Sequence, residues 1–369
     1  MSELPSTMRS LVAPKYCLPN EWEVAEVPVP TIKDPKDILI KVHAASISTG
    51  DTQLANGASK LLIGGLRFPH KIGIEASGTV VATGSDVTLF KPGDTVWAFA
   101  QKHPMDLLSA PGFTSEYAVA TEQLTLHKPR NASFEEACNT SAILVAVQTI
   151  SMGLRLMREN GVTEGLEGKT VFVSGALSAT GSAAVQVLKN VYGVGKIITT
   201  VSTAKVPLVE TYLPGLADQV VDYTKYGDLT DAIPPGTVDF VYNTQWDLLK
   251  TFPLLKPDVG VVASIASVPA PSTLRKMLPP LPFFVYWLTG LAQWWYAFKL
   301  RGTRVKHEFL SGNMGIREDL ERAGEILAMG KVKPVLTVVE LGGVEAVRRE
   351  AQKVATGKGG LGKLVIKIA

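Results

Sequence analysis

Cysteine is nearly absent from this chain of 369 residues: Cys17 and Cys138 are the only two, far apart and in no metal-type spacing. A disulfide framework and a cysteine-held structural zinc are therefore not expected, and a reducing compartment fits. The five histidines, His43 among them, also lack ligand spacing and read as structural. No long basic block exists. The net charge of +3 is spread along the chain, which argues against nucleic acid as a partner. Residues 1–16 have neither the apolar core of a signal peptide nor the arginine-rich character of a transit peptide, so a cytoplasmic protein is expected. Internal repeats are lacking too. What remains is 46% hydrophobic and 19% charged residues, a globular profile long enough for two cores.

Residues 1–131 are strand-rich. Asp37-Ile-Leu-Ile-Lys-Val-His-Ala-Ala-Ser-Ile-Ser48, Gly73-Ile-Glu-Ala-Ser-Gly-Thr-Val-Val-Ala-Thr-Gly84 and Lys91-Pro-Gly-Asp-Thr-Val-Trp-Ala-Phe99 are short strands punctuated by turns. They predict a compact β-barrel-like domain. From about residue 133 the pattern changes. A helical stretch over 134–154 precedes strands at 171–174, 196–201, 219–223, 238–242 and 260–265. That alternation predicts an α/β domain with a doubly wound parallel sheet. Strands at 334–339 and 362–368 flank a helix over 343–355.

The densest signal is the strand, small-residue turn and helix of Lys169-Thr-Val-Phe-Val-Ser-Gly-Ala-Leu-Ser-Ala-Thr-Gly-Ser-Ala-Ala-Val-Gln-Val-Leu-Lys189. Such a turn sets a dinucleotide pyrophosphate on a helix N-terminus. Gly175 and Gly181 close its two ends, while Ser178 and Ala179 stand where glycines are common. Ser178 and Thr180 can give hydroxyls to a phosphate. An NAD-type site wants an acid about 20 residues further on. Thr199-Thr-Val-Ser-Thr-Ala-Lys205 has none. Ser202 and Lys205 instead suit a 2′-phosphate, and Tyr223 can flank the adenine or the same phosphate, so NADPH is favoured over NADH. The alternative, less favoured, is that Lys205 is a solvated lysine at a helix start.

These residues resemble the medium-chain dehydrogenase/reductase superfamily, in its zinc-free quinone-oxidoreductase and enoyl-reductase branch. Lys41-Val-His-Ala-Ala-Ser-Ile-Ser-Thr-Gly-Asp51, Pro69-His-Lys-Ile-Gly-Ile-Glu-Ala-Ser-Gly-Thr-Val81, Phe90-Lys-Pro-Gly-Asp-Thr-Val96, Gly112-Phe-Thr-Ser-Glu-Tyr117, Gly330-Lys-Val-Lys-Pro-Val335 and Gly359-Gly-Leu-Gly-Lys-Leu-Val365 follow in family order. The resemblance covers essentially the whole chain. It implies a GroES-like catalytic domain over 1–131, completed by 305–369, and a Rossmann dinucleotide-binding domain over 132–304. Zinc-dependent relatives have a cysteine where Ser48 stands and a histidine where Ile74 stands. Serine and isoleucine cannot supply a zinc site, so no metal is expected. The implied function is zinc-independent, NADPH-dependent reduction of a conjugated enone, enoyl or quinone substrate by hydride transfer. Ser48 is the polar candidate beside the nicotinamide, with Asp51 as a second catalytic or structural candidate. Asn243 joins the cofactor set, in place of a common aspartate. Tyr117 reads as core, and a homodimer is implied by relatives.

One apolar stretch, 277–298, carries no charge and is bracketed by Lys276 and Lys299. It approaches the roughly 20 residues of a spanning helix, but three prolines, a glycine and a glutamine weaken that reading. Two readings stay open: an apolar subunit interface or substrate-pocket wall, and a membrane-surface contact. The second draws on aromatics flanked by Arg275, Lys276, Lys299, Arg301 and Arg304. Two other functions stay open: an enoyl reductase acting in trans in a polyketide or lipid pathway, with the segment lining a substrate channel or meeting a carrier enzyme, and a non-catalytic, membrane-associated member of the same fold, which the segment and the missing glycines at Ser178 and Ala179 motivate.

Overall fold

The computed structural model describes residues 4–100 and 112–369. Residues 1–3 of the N-terminal stretch and 101–111 of the expected first domain lie outside the described residues. In chain order the strands are β1 (Thr7–Ala13), β2 (Glu23–Pro28), β3 (Asp37–Ile47), β4 (His70–Lys71), β5 (Glu75–Thr83), β6 (Thr95–Phe99), β7 (Tyr117–Thr121) and β8 (Thr125–His127), then β9 (Thr170–Val173), β10 (Lys196–Val201), β11 (Gln219–Asp222), β12 (Phe240–Asn243), β13 (Val261–Ser264), β14 (Lys306–Phe309), β15 (Leu336–Glu340) and β16 (Lys363–Lys367). The helices are α1 (Thr49–Ala55), α2 (Lys60–Ile63), α3 (Phe134–Ala137), α4 (Thr140–Glu159), α5 (Ala179–Asn190), α6 (Val206–Tyr212), α7 (Pro271–Met277), α8 (Phe283–Lys299), α9 (Arg317–Ala328) and α10 (Val344–Thr356).

The chain divides into two compact units. The first comprises 1–141, 313–330 and 336–369, and the second 142–312 and 331–335. The expected division at 131/132 and 304/305 differs on both sides. Ser133 opens α3 with a capping box to Glu136, and Phe134 packs against Ala44, Cys138 and Val365, so 132–141 stays with the first unit. At the other end, 306–309 pairs in parallel with β13 and belongs to the second.

In the first unit, β3 is the longest strand and the centre of a mostly antiparallel sheet with order β15-β16-β3-β5-β6-β8, to which β7 adds by pairing with β3. A smaller sheet has the order β2-β1-β4. The alternating strands put Ile38, Ile40, Val42, Val80, Val96 and Ile366 into one core with Trp22 and Phe113. Cys17 and Cys138 are both buried free thiols.

His70 on β4 shares that burial, at 4% exposure, and its Nδ1 has no partner. Burial, helped by the neighbouring Lys71, pushes its pKa down to about 4 from 6.5. The unfolded chain takes up this proton as pH falls below 6.5, and the folded chain only near 4. The folded state's advantage is thus complete above pH 6.5 and is lost as pH falls toward 4. Between pH 7 and pH 5 about 2 kcal/mol of stability is expected to disappear. Urea midpoints at the two pH values check this, and His70→Asn should flatten that part of the dependence.

The second unit is a six-stranded, all-parallel sheet with order β11-β10-β9-β12-β13-β14. Its central strands are continuous apolar runs, as sheets covered on both faces require: Val171, Phe172 and Val173 on β9 and Val261, Val262 and Ala263 on β13 are fully buried. Gly153 of α4 lets Phe240 approach, since a Cβ there would sit 2.5 Å from the ring. Every residue of the edge strand β14 is only half-buried.

Candidate cofactor site

The order third-second-first on one side and fourth-fifth-sixth on the other makes a topological switch point between β9 and β12. Ligands bind there, beyond the carboxyl ends of the strands. The loop 174–178 leaves β9 at that point and α5 begins at its end. Gly175 has φ +67, and a Cβ on it would lie 2.8 Å from Gln245 Nε2. Only glycine takes that backbone cheaply. At Gly181 a Cβ would lie 2.2 Å from the Gly175 carbonyl oxygen, so this glycine sets how closely the first turn of α5 folds over the loop.

Ser178 is the N-cap of α5: its Oγ accepts from Gly181 N–H at 3.0 Å. The hydroxyl expected to meet phosphate thus also builds the helix start, and it keeps its own proton to donate. The backbone N–H groups of Ala179 and Thr180 have no acceptor inside a helix. Among the described residues, the half-buried Thr180 hydroxyl has no protein partner either. Helix N-termini with open donors attract anions.

β10 and β11 run in register, Val201 beside Asp222, and Tyr223 N–H donates to the Val201 carbonyl. This brings Ser202 and Tyr223 side by side at one strand edge. Ser202 caps the short turn Thr203–Lys205 without using its hydroxyl in the cap, and Lys205 N–H donates to the Ser202 carbonyl at 2.8 Å. Tyr223 is half-exposed. Asp222, the nearest acid, turns to Thr224: its Oδ1 accepts from Thr224 N–H and from the Thr224 hydroxyl.

Asn243 does not join this rim. The structure places it in the interior, where Nδ2 donates to the Gln245 carbonyl, Ser264 Oγ and the Ala266 carbonyl while Oδ1 accepts from Ser174 Oγ. It ties the ends of β9, β12 and β13 together. The residues the sequence reading missed are its neighbours. Thr244 Oγ donates to the Ser174 carbonyl, Thr200 Oγ accepts from Gly175 N–H, Gln245 overlies Gly175, and Trp246 stands 74% exposed. Their common signal was position, at the carboxyl ends of β10 and β12.

In the first unit Ser48 and Asp51 do meet, as a capping box at the start of α1. Ser48 N–H and Oγ–H both donate to Asp51 Oδ2, at 2.8 and 2.6 Å, and Gly73 N–H donates to Oδ1. Asp51 is buried, and desolvation raises its pKa. Its carboxylate joins α1 to the start of β5; this is an anchoring position. His43 stacks on Phe134 at 4.2 Å and meets Thr79 Oγ through Nε2. Tyr117 is half-buried on β7. No cluster of three or more His, Cys, Asp or Glu side chains placed to hold a metal occurs among the described residues.

Beside this lies a buried charge centre. Glu75, the first residue of β5, accepts from Ser46 Oγ, Trp97 Nε1, Ser141 N–H and Ser141 Oγ, and pairs with Lys363 Nζ at 2.8 Å. Both partners of the ion pair are buried.

A glycine turn under the switch point of a 3-2-1-4-5-6 sheet defines a dinucleotide-binding α/β protein, here joined to a β-rich unit. Residues 34–130 match the alcohol dehydrogenase GroES-like domain and residues 216–366 the zinc-binding dehydrogenase domain. The chain belongs to the medium-chain dehydrogenase/reductase superfamily. The 2-methylene-furan-3-one reductase of Solanum lycopersicum is 32% identical over 67% of this chain and 59% of its own length. The chloroplastic NADPH-dependent alkenal/one oxidoreductase of Arabidopsis thaliana is 32% identical over 73% of this chain and 66% of its own. The matched region therefore spans less than two thirds of either relative. A quinone oxidoreductase from Coxiella burnetii shares the fold, with a TM-score of 0.75 over 98% of this chain and 100% of that chain at 23% identity.

Proposed function

We propose that this protein is an NADPH-dependent reductase of conjugated enones, enoyl groups or quinones. The observation that carries the reading is the phosphate cradle at α5. Its N–H groups at Ala179 and Thr180 and its Thr180 hydroxyl are open donors, and the two glycines at Gly175 and Gly181 admit no side chain. Such a cradle fits a pyrophosphate. At the β10 edge, Ser202, Lys205 and Tyr223 would hold the adenosine end. A lysine and a hydroxyl there match a 2′-phosphate, and the strand end carries no acid to bind a ribose hydroxyl. Bound NADPH would supply the hydride. The names of the tomato and Arabidopsis relatives support reduction of an activated carbonyl compound.

Zinc independence belongs to the proposal. Ser48 and Ile74 stand at the two positions where zinc-dependent relatives place ligands, and the Ser48 proton is already given to Asp51. With that proton held, Ser48 offers an oxygen lone pair, which suits orienting a group rather than protonating one. A cytoplasmic location, a homodimer and a contact made by 277–298 with a membrane or a partner protein complete the reading.

Lys205→Ala is the test. Losing one charge-assisted contact to a phosphate should weaken NADPH binding about 10- to 100-fold and leave NADH nearly unchanged. Fluorescence titration with both cofactors measures it. Equal losses for the two would remove the phosphate assignment.

A further inference from the structure

Helix α8 is amphipathic in the inverse sense. A surface helix of a globular protein normally turns its apolar stripe to the core. In α8 no residue is buried. Phe283, Trp287, Leu291, Trp294 and Phe298, spaced four, four, three and four residues apart, lie on one face and are all exposed, with Phe284, Leu288 and Trp295 beside them. Phe283 and Trp287 are 84% and 65% accessible. The face turned to the rest of the second unit is the narrower one and includes Gln293 and Tyr296. Gln293 Nε2 donates to the Val268 carbonyl, Tyr296 OH accepts from Val268 N–H, and the Tyr296 ring meets Phe252 and His307. The helix is therefore held by Gln293, by the Tyr296 ring and hydroxyl and by Leu300 just beyond its end, and about 25 Å of aromatic stripe points outward.

Charge follows the same pattern. Between Asp258 and Glu308 the sequence holds no acidic residue, while Arg275, Lys276, Lys299, Arg301, Arg304 and Lys306 fall within it. Arg275 lies over Tyr286, Lys299 over Trp295 and Arg301 over Phe298, at 4.7, 4.9 and 4.4 Å. These cations cluster at both ends of the stripe. Aromatics with cations at their margins match the layered chemistry of a bilayer surface, apolar below and anionic above. A second copy on this face would bring two acid-free segments together, cation against cation.

We infer that α8 lies in the surface of an anionic lipid bilayer, its stripe of Phe283, Trp287, Leu291, Trp294 and Phe298 among the acyl chains and its flanking arginines and lysines at the headgroups. This rests on the contact reading of 277–298 and is independent of the reductase reading. Vesicle flotation of the purified full chain tests it, with phosphatidylcholine alone or with about 30 mol% phosphatidylserine. Binding to the anionic vesicles should exceed binding to neutral ones about tenfold and fall when salt rises to about 0.5 M. The double variant W287S/W294S should bind about tenfold less. A second variant, K276Q/R301Q, should lose the preference for anionic vesicles and keep the stripe's weak binding to neutral ones. Far-UV circular dichroism and thermal melting of both variants, expected to match the parent chain, show that they are folded. If the parent chain stays unbound, or binds both vesicles equally, the inference fails. If light scattering instead shows a dimer that W287S/W294S abolishes, the bilayer is wrong and the contact reading survives. If neither vesicle nor dimer is found, both fall.

Discussion

Lys363→Met is expected to destabilise the first unit by about 3–5 kcal/mol. The ammonium sits 2.8 Å from Glu75 Oε2, with both side chains out of water. Removing it leaves a buried carboxylate whose remaining partners, Ser46, Trp97 and Ser141, are neutral donors. The cost arises from the charge left behind rather than from the strength of the pair, because a buried ion pair barely repays its own desolvation. The double variant Glu75→Gln/Lys363→Met should therefore recover much of the loss, since a neutral amide still accepts from Trp97 Nε1. Urea unfolding followed by far-UV circular dichroism reads both variants. A single-variant loss below about 1 kcal/mol would show that the site is hydrated in solution.

The second large effect is at the cofactor turn. Gly181→Val should weaken NADPH binding about 10- to 100-fold, by the 1–3 kcal/mol of overpacking that a Cβ causes against backbone. Its neighbour is the Gly175 carbonyl, at 2.2 Å from the added atom, and a carbonyl at a positive-φ turn has nowhere to retreat. The first turn of α5 must lift, and the Ala179 and Thr180 donors with it. Gly165→Ala serves as the control, because a Cβ there meets nothing within 4 Å. Isothermal titration of NADPH into both variants makes the comparison. Parent-like affinity in Gly181→Val would detach the pyrophosphate from α5.

Much of the architecture was legible because hydrophobic period records element type. The succession of short apolar runs from 171 to 265 predicted a parallel sheet, and β9 to β13 are there within one or two residues. β14 escaped because Lys-His-Glu-Phe carries no apolar run: an edge strand, half-buried throughout, needs none. The turn at 175–181 was legible because glycine and small residues are demanded by backbone geometry. Asn243 was misplaced, and Asp51 left open between two roles, for a shared reason. A polar residue at a strand end or helix start can face a ligand or tie the scaffold, and residue type is the same either way. Only the count of partners separates the two cases, and both side chains proved fully engaged. For 277–298, composition showed an apolar segment but not which face of α8 was already taken.

The pairing that closes the first unit also orders events in time. β16 lies between β15 and β3, one strand in from the edge of the larger sheet, and Lys363 reaches Ser141 across 222 residues of sequence. A ribosome delivers every strand of the parallel sheet before β16 emerges. Until then the Ala44–Ile47 half of β3 lacks its partner strand and Glu75 has no counter-ion. The second unit can thus complete its sheet on the nascent chain, while the larger sheet of the first must wait for its long-range pairing.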